Sequence, residues 1–318
     1  MRSSGFSLWN GRRVEMQHLR TTAMIAAFVL GYACPWASAF NWLIRWLIVV
    51  MMFLVFLQVK VSLREVRMAH LKILGANVAV GMGSWVLLRS LCGDELAQAA
   101  FFTGITPTAT AAAVIVNLLG GRVDFAVSAF LATNFGMAIL LPFLIPVAIG
   151  NPAPGVFMSV VNSLLVVIGI PLVAAIPVRL FYKHASELPK KYKNVSFFLW
   201  VAAIFLIIAN ASAYLHSQAH LSKTILLEIA AISFAICVFN FWFGQFLGGK
   251  KFRREASQVL GQKNTTLTIY LAMTYANPLV ALGPTFYVLW HNGWNTLQLH
   301  MYDRRRHQRE LKRKRNTP

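Results

Sequence analysis

Charge is scarce in this chain, and negative charge scarcer still. Of 318 residues only 13% are charged, against roughly 25% in ordinary soluble domains. Asp and Glu together number 10, against 30 Lys and Arg. A soluble protein of this size has too much surface to cover with so few charges. Soluble enzymes and disordered chains are thereby excluded. Cysteine is nearly absent too. Cys34, Cys92 and Cys237 are scattered and make neither a disulfide framework nor a metal-ligand spacing. There is no nucleophile–base–orienter set, no pair of intramembrane carboxylates and no phosphate loop, so no enzyme is expected. What is abundant is apolar: 57% of residues are hydrophobic and mean hydropathy is +0.59. The chain reads as an all-α polytopic membrane protein.

A span needs about 20 apolar residues. Ten stretches meet that: 21–40, 42–59, 71–90, 95–119, 124–149, 155–178, 195–215, 224–248, 254–277 and 279–299. The expected organisation is a cytoplasmic segment at 1–20, one membrane domain at 21–299 and a basic tail at 300–318. Ala37-Ser38-Ala39 after a basic start resembles a signal-peptide cleavage site. Trp42 at once resumes an apolar run, so a tight helical hairpin is the preferred reading.

The basic residues set the orientation. Arg2 to Arg20, Lys60 to Lys72, Arg122, Arg179 to Lys193, Lys250 to Arg254 and Arg304 to Arg315 all fall on one side of a ten-span count. Only Arg89 and Lys223 fall on the other, and Arg45 and Lys263 lie inside spans. This alternation follows the positive-inside rule and puts both termini in the cytoplasm of a bacterial-type inner membrane. The net charge of +20 then needs no nucleic acid. The tail reads as an anchor on anionic lipid, worth about 1 kcal/mol per basic residue near the surface.

Two spans have the wrong chemistry for simple apolar helices. The fourth contains Thr103-Gly104-Ile105-Thr106-Pro107-Thr108-Ala109-Thr110, and Pro107 cannot continue a helix ladder. The ninth contains Gly261-Gln262-Lys263-Asn264-Thr265-Thr266. Four and nine hold the same place in two halves of five, about 21–150 and 155–299. Because five is odd, the halves are inverted. Paired interrupted helices in inverted halves point to a secondary-transporter site, although no residue-level repeat accompanies them. For either motif alone, a proline kink or a polar helix contact would suffice.

Lys263 is the sharpest single residue. A lysine at mid-bilayer costs about 2.5–3.5 kcal/mol on insertion scales. It needs a partner, a water-filled cavity or loss of its proton. Asn77, Asn134, Asn210 and Asn240 sit in spans three, five, seven and eight. Any one alone reads as glue between helices, but Asn77 and Asn240 form a second matched pair across the halves. Glu228, near a span end, and Glu255, at a helix start, read as structural. His216 and His220 read as a solvated loop rather than a metal pair. Gly75, Ala79 and Gly83 form a small-residue stripe on which span three is expected to pack.

At this point the residues resemble a known group. Thr106-Pro107-Thr108-Ala109-Thr110-Ala111-Ala112 with Gly120-Gly121 is similar to the fourth-span signature of the bile acid:sodium symporter family. Tyr275-Ala276-Asn277-Pro278 through Gly283-Pro284, ending in Trp290-His291-Asn292, resembles its tenth span, and Gly261 to Asn264 its ninth-span crossover. The resemblance implies ten spans in two inverted five-helix repeats with discontinuous, crossing helices four and nine. It implies a core of spans three, four, five, eight, nine and ten moving against a panel of one, two, six and seven. It also implies an organic-anion substrate, usually with sodium. Arsenite exporters and auxin-type carriers are relatives; the cysteine of the arsenite branch is lacking in the fourth-span break.

The sodium pattern itself is altered. Ala111-Ala112-Ala113 stands where a Ser-Asn pair is found, Val259 in Gln258-Val259-Leu260-Gly261 replaces a glutamate, and Lys263 replaces a glutamine. Oxygen ligands are lost and a positive charge is gained, and two cations a few Å apart in low dielectric repel strongly. Lys263 is therefore expected to replace one bound cation, leaving transport sodium-independent or proton-linked. The opposing reading keeps a sodium ion on backbone carbonyls with Asn77 and Asn264. No other cofactor is expected.

The expected function is alternating-access transport of a small organic, anionic solute. Thr106, Pro107, Thr108, Thr110, Gln258, Gln262, Lys263, Asn264, Thr265, Asn77, Asn134 and Asn240 are the site residues. The alternatives are an auxin-carrier-like or arsenite-like exporter and a non-transporting receptor or assembly protein on the same fold.

Overall fold

The computed structural model describes residues 22–58, 68–182, 184–188, 193–217 and 224–315. The segment 1–20, the basic loop residues Lys60, Arg64, Arg67, Lys183, Lys190 and Lys191, Lys223 and His220 lie outside them. The described residues are helical apart from short turns and breaks, with no strand among them and one isolated two-residue bridge. Six helices among them are long and apolar enough to cross a membrane.

In chain order the helices are α1 (Thr22–Ala33), α2 (Asn41–Gln58), α3 (Met68–Cys92), α4 (Asp94–Gly104), α5 (Ala111–Leu118), α6 (Val123–Ala148), α7 (Pro154–Leu164), α8 (Ile170–Phe181), α9 (Lys193–Ser217), α10 (Ile225–Gly261), α11 (Thr265–Tyr275) and α12 (Pro278–Arg315). The chain forms two compact units, 1–58 with 170–221 and 59–169 with 222–318. Spans one, two and seven fall in the first unit, and spans three, four, five, eight, nine and ten in the second. Span six divides between Gly169 and Ile170, at the end of a π-helical turn (Leu165–Gly169).

In the first unit, the stretch expected as one helix over 21–40 is broken after Ala33. Pro35 has no amide hydrogen to donate, and a 3₁₀ turn (Pro35–Phe40) leads into α2. Gly31 allows α1 to touch α9: a Cβ there would stand 2.6 Å from the Phe205 carbonyl oxygen. The Ser212 hydroxyl donates to the Tyr32 carbonyl at 2.8 Å across the same contact. Asn210 is buried but bonds back to Leu206 O in its own helix, so it is structural.

The second unit holds both broken spans. α10 is two helices joined at a reversal, not one rod. Gly249 adopts φ 54°, ψ −152° and Phe252 is also non-helical. The positive φ suits glycine. The two parts then pack back on each other so closely that a Cβ on Gly244 would meet the Ala256 carbonyl oxygen at 2.5 Å. The Ser257 hydroxyl donates to Phe241 O at 2.8 Å. This reversal falls where spans eight and nine are expected to part.

Span three does pack tightly, but on the opposite face from the expected stripe. Gly75, Ala79 and Gly83 are exposed, and a Cβ on Gly75 or Gly83 would meet nothing within 4 Å. The buried face is Ile73, Ala76, Asn77, Val80 and Gly81. Ile73 and Ala76 join Ala112, Val116, Ala126, Ala129, Ala256 and Val259 in one core cluster. Lipid tails are as apolar as these side chains, so their association comes from close van der Waals contact rather than from water exclusion.

α12 begins with Asn277 as its cap: Val280 N–H donates to Asn277 Oδ1 at 3.0 Å, and Pro278 takes the first helical position, where no amide hydrogen is needed. The helix was expected to end near 299. It runs on to Arg315, because the basic tail is built from good helix formers. At about 1.5 Å per residue the helix is far longer than the roughly 30 Å hydrocarbon core.

Candidate functional site

The breaks in the two interrupted spans meet. α4 ends at Gly104 and α5 begins at Ala111; the distal part of α10 ends at Gly261 and α11 begins at Thr265. The two extended stretches between them pair as an antiparallel bridge, Thr108 with Lys263. Ala109 N–H donates to Gln262 O at 2.8 Å, and Asn264 N–H donates to Pro107 O at 2.7 Å. Each break thus satisfies backbone groups that the other has freed, which non-helical backbone at membrane depth requires.

Side chains complete the crossing. Thr106 Oγ1 donates to Phe102 O at 2.7 Å and lies 2.8 Å from Thr268 Oγ1. Thr108 Oγ1 donates to Val259 O at 2.8 Å, and Thr108 N–H donates to Thr133 Oγ1 at 3.1 Å. Asn134 donates to Thr108 O at 2.9 Å and accepts from Asn264 Nδ2 at 3.2 Å. Thr265 is buried as the first residue of α11, and its carbonyl accepts from Thr268 at 3.3 Å.

Lys263 is 2% exposed. Its Nζ donates to Asn77 Oδ1 at 2.5 Å and to the Gly104 carbonyl at 3.0 Å. Gly104 is the last residue of α4, where the helix dipole is negative and favours a cation. The lysine does not snorkel to an interface; it caps a half-helix inside the protein. The geometry depends on glycine. A Cβ on Gly104 would stand 2.9 Å from Gly81 Cα, and one on Gly81 would stand 2.8 Å from Ile105 N. This close approach brings Asn77, one turn before Gly81, up to the end of α4. At the other break, Tyr287 OH donates to Gly261 O at 2.9 Å and accepts from Asn240 Nδ2 at 3.1 Å. The C-terminal carbonyls of both half-helices are therefore met by side-chain donors.

Most of the expected site residues converge on this crossing. Thr106, Pro107, Thr108, Lys263, Asn264, Thr265, Asn77 and Asn134 form its immediate network. Asn240 acts one step removed, through Tyr287. Gln262 contributes its backbone carbonyl there and Gln258 O accepts from Gln262 N–H at the end of α10, while their side chains turn away to Asn295 and Gln298 on α12. Thr110 precedes α5 and its side chain does not cap that helix. Glu255 serves a helix N-terminus, but not that of its own helix: its Oε1 accepts from Arg122 N–H at the start of α6 at 2.8 Å. Glu228 accepts from Thr224 Oγ1 at 3.1 Å near the start of α10.

Sequence reasoning missed Gly81, Thr133, Thr268, Tyr287 and Asn295. The last two carry a readable signal. Tyr287, His291, Asn295, Gln298 and Tyr302 recur at helical spacing on α12, a polar stripe in an apolar span. No protein-family model matches the chain, and no curated protein matches it either.

Proposed function

We propose that this protein is a secondary transporter of a small organic anion, working by alternating access in a bacterial-type inner membrane with both termini in the cytoplasm. The observation that carries this reading is the backbone pairing of Thr108 and Lys263 between two interrupted helices. Irregular backbone at that depth is characteristic of transporter sites built at the junction of repeats. The remaining spans complete ten crossings in two inverted halves, as the resemblance to the bile acid:sodium symporter family implies. The division into one unit with spans one, two and seven and another with spans three to five and eight to ten supports a moving core and a panel. Lys263 provides the positive charge that a bound cation would otherwise supply, so transport does not require sodium. The N-termini of α5 and α11 offer their positive dipole ends to the substrate.

Cysteine accessibility in oriented vesicles tests the reading. Ala109→Cys, in the extended stretch of the fourth span, is made with Cys34 and Cys92 replaced by serine. A membrane-impermeant thiol reagent applied from either side should label it, in proportions that shift with added organic acids. Labelling from one side only, under every condition, would instead indicate a receptor or assembly protein.

A further inference from the structure

We propose that the seam between the distal part of α10 and α12 is a proton route to Lys263, making the proton the coupling ion; this rests on the transport reading above. The two segments run past each other as a ladder of polar side chains. Arg254 lies over the Tyr302 ring at 5.5 Å, Gln258 bonds Gln298, Gln262 bonds Asn295, and Gly261 O receives Tyr287 OH. Such a row inside an otherwise apolar bundle has a cost, and intramembrane polar rows mark ion and proton paths.

A second observation comes from unpartnered atoms. Four buried side-chain polar atoms with no hydrogen-bond partner flank this seam and its inner end: His291 Nδ1, Trp294 Nε1, Asn240 Oδ1 and Asn77 Nδ2. Buried polar groups are nearly always bonded, so these atoms are places where water finds partners. His291 is buried one turn beyond Tyr287, its ring edge-on to the tyrosine with centroids 5.6 Å apart. Tyr287 in turn donates to the Gly261 carbonyl, two residues before Lys263, at 2.9 Å.

The titratable groups facing Lys263 are thus Cys237 from α10 and Tyr287 with His291 from α12. α3 offers Asn77, α4 a carbonyl, and α6 the neutral Thr133 and Asn134. Glu255 is engaged with Arg122 N–H at the far end of the seam. A proton entering at the Tyr302 end is taken up by the His291 imidazole. It passes through water and the Tyr287 hydroxyl, held beside Gly261, and ends on Lys263 Nζ. Only bonds to hydrogen are made and broken: the arriving proton restores the ammonium of a Lys263 that has released its own proton earlier in the transport cycle.

The test is an external pH jump on the full chain in proteoliposomes, followed by tryptophan fluorescence, since Trp290 and Trp294 flank the path. Wild type should respond in one resolved phase, and Lys263→Gln should be silent. His291→Gln should keep the amplitude and slow the phase by about 100-fold, the lower range for a positioned proton-transfer group. Leu297→Gln, on the exposed face of the same helix, should leave the rate unchanged. A response that survives in Lys263→Gln, or an unchanged rate in His291→Gln, overturns the proposal. Should His291→Gln not fold, Gln298→Cys decides. A charged thiol reagent should modify it while sparing Leu297→Cys, and failure to modify it overturns the route. One-sided labelling of Ala109→Cys with a normal pH response would remove the transport reading and leave the proton route standing.

Discussion

Gly81 of α3 and Gly104 of α4 touch backbone to backbone: a Cβ on Gly104 would come within 2.9 Å of the Gly81 Cα and N. The atoms met are main chain and cannot rotate aside. Gly104→Ala should therefore lower stability by about 1–3 kcal/mol, as overpacking does, and withdraw Gly104 O from Lys263. Gly75→Ala, which faces open space, should be neutral or slightly stabilising. Melting temperatures of the two variants in one detergent check the contrast.

Asn77 supplies the side-chain oxygen to the Lys263 ammonium. Asn77→Ala should cost about 1.5–3 kcal/mol, the range for a hydrogen bond to a charged group. Asn77→Asp keeps an oxygen in place and adds a counter-charge, so it should recover most of that loss. If both variants melt alike, the lysine is not held by this contact.

Thr106 and Thr268 couple the two breaks through their hydroxyls, 2.8 Å apart. Valine at either position should destabilise, and the double variant should lose less than the sum. A double-mutant cycle should return a coupling of about 0.5–1.5 kcal/mol, that of a hydrogen bond. A coupling of zero would mean that the hydroxyls do not meet.

Arg254 closes the far end of α5. It donates to Leu119 O and stacks over Tyr302. Arg254→Ala should raise amide hydrogen exchange near residues 116–121 without unfolding the crossing. Arg254→Lys should rescue little, because an ammonium lacks the planar face that stacks on a ring.

The interruptions were legible because their causes are local. Pro107 cannot donate, Gly104 and Gly261 carry no Cβ, and Lys263 in an apolar run demands a partner. The identity of that partner was legible in part: Asn77 stood out as polar in span three, but the second oxygen belongs to a backbone carbonyl, which no side chain announces. The packing face of α3 was misread because small residues lie on both of its faces. Gly75, Ala79 and Gly83 have the regular spacing, yet Gly81 has the neighbour. Which glycine meets another helix depends on the partner's own break, a tertiary fact. The direction of the glutamine side chains was not legible for a similar reason. Gln258 and Gln262 sit in the motif, but helical rotation turns their side chains toward α12.

The claim on which the rest depends is that Lys263 is the positive charge of the crossing. It is tested most directly by the thermal stability of the purified protein in sodium chloride and in choline chloride, titrated to high concentration. A ligand at about 100 times its Kd adds about 2.7 kcal/mol to the folded state. The expected result is no saturable difference between the two salts for wild type. A saturable, sodium-specific rise in melting temperature would contradict the claim, because it would place a sodium ion where the ammonium is held to do its work.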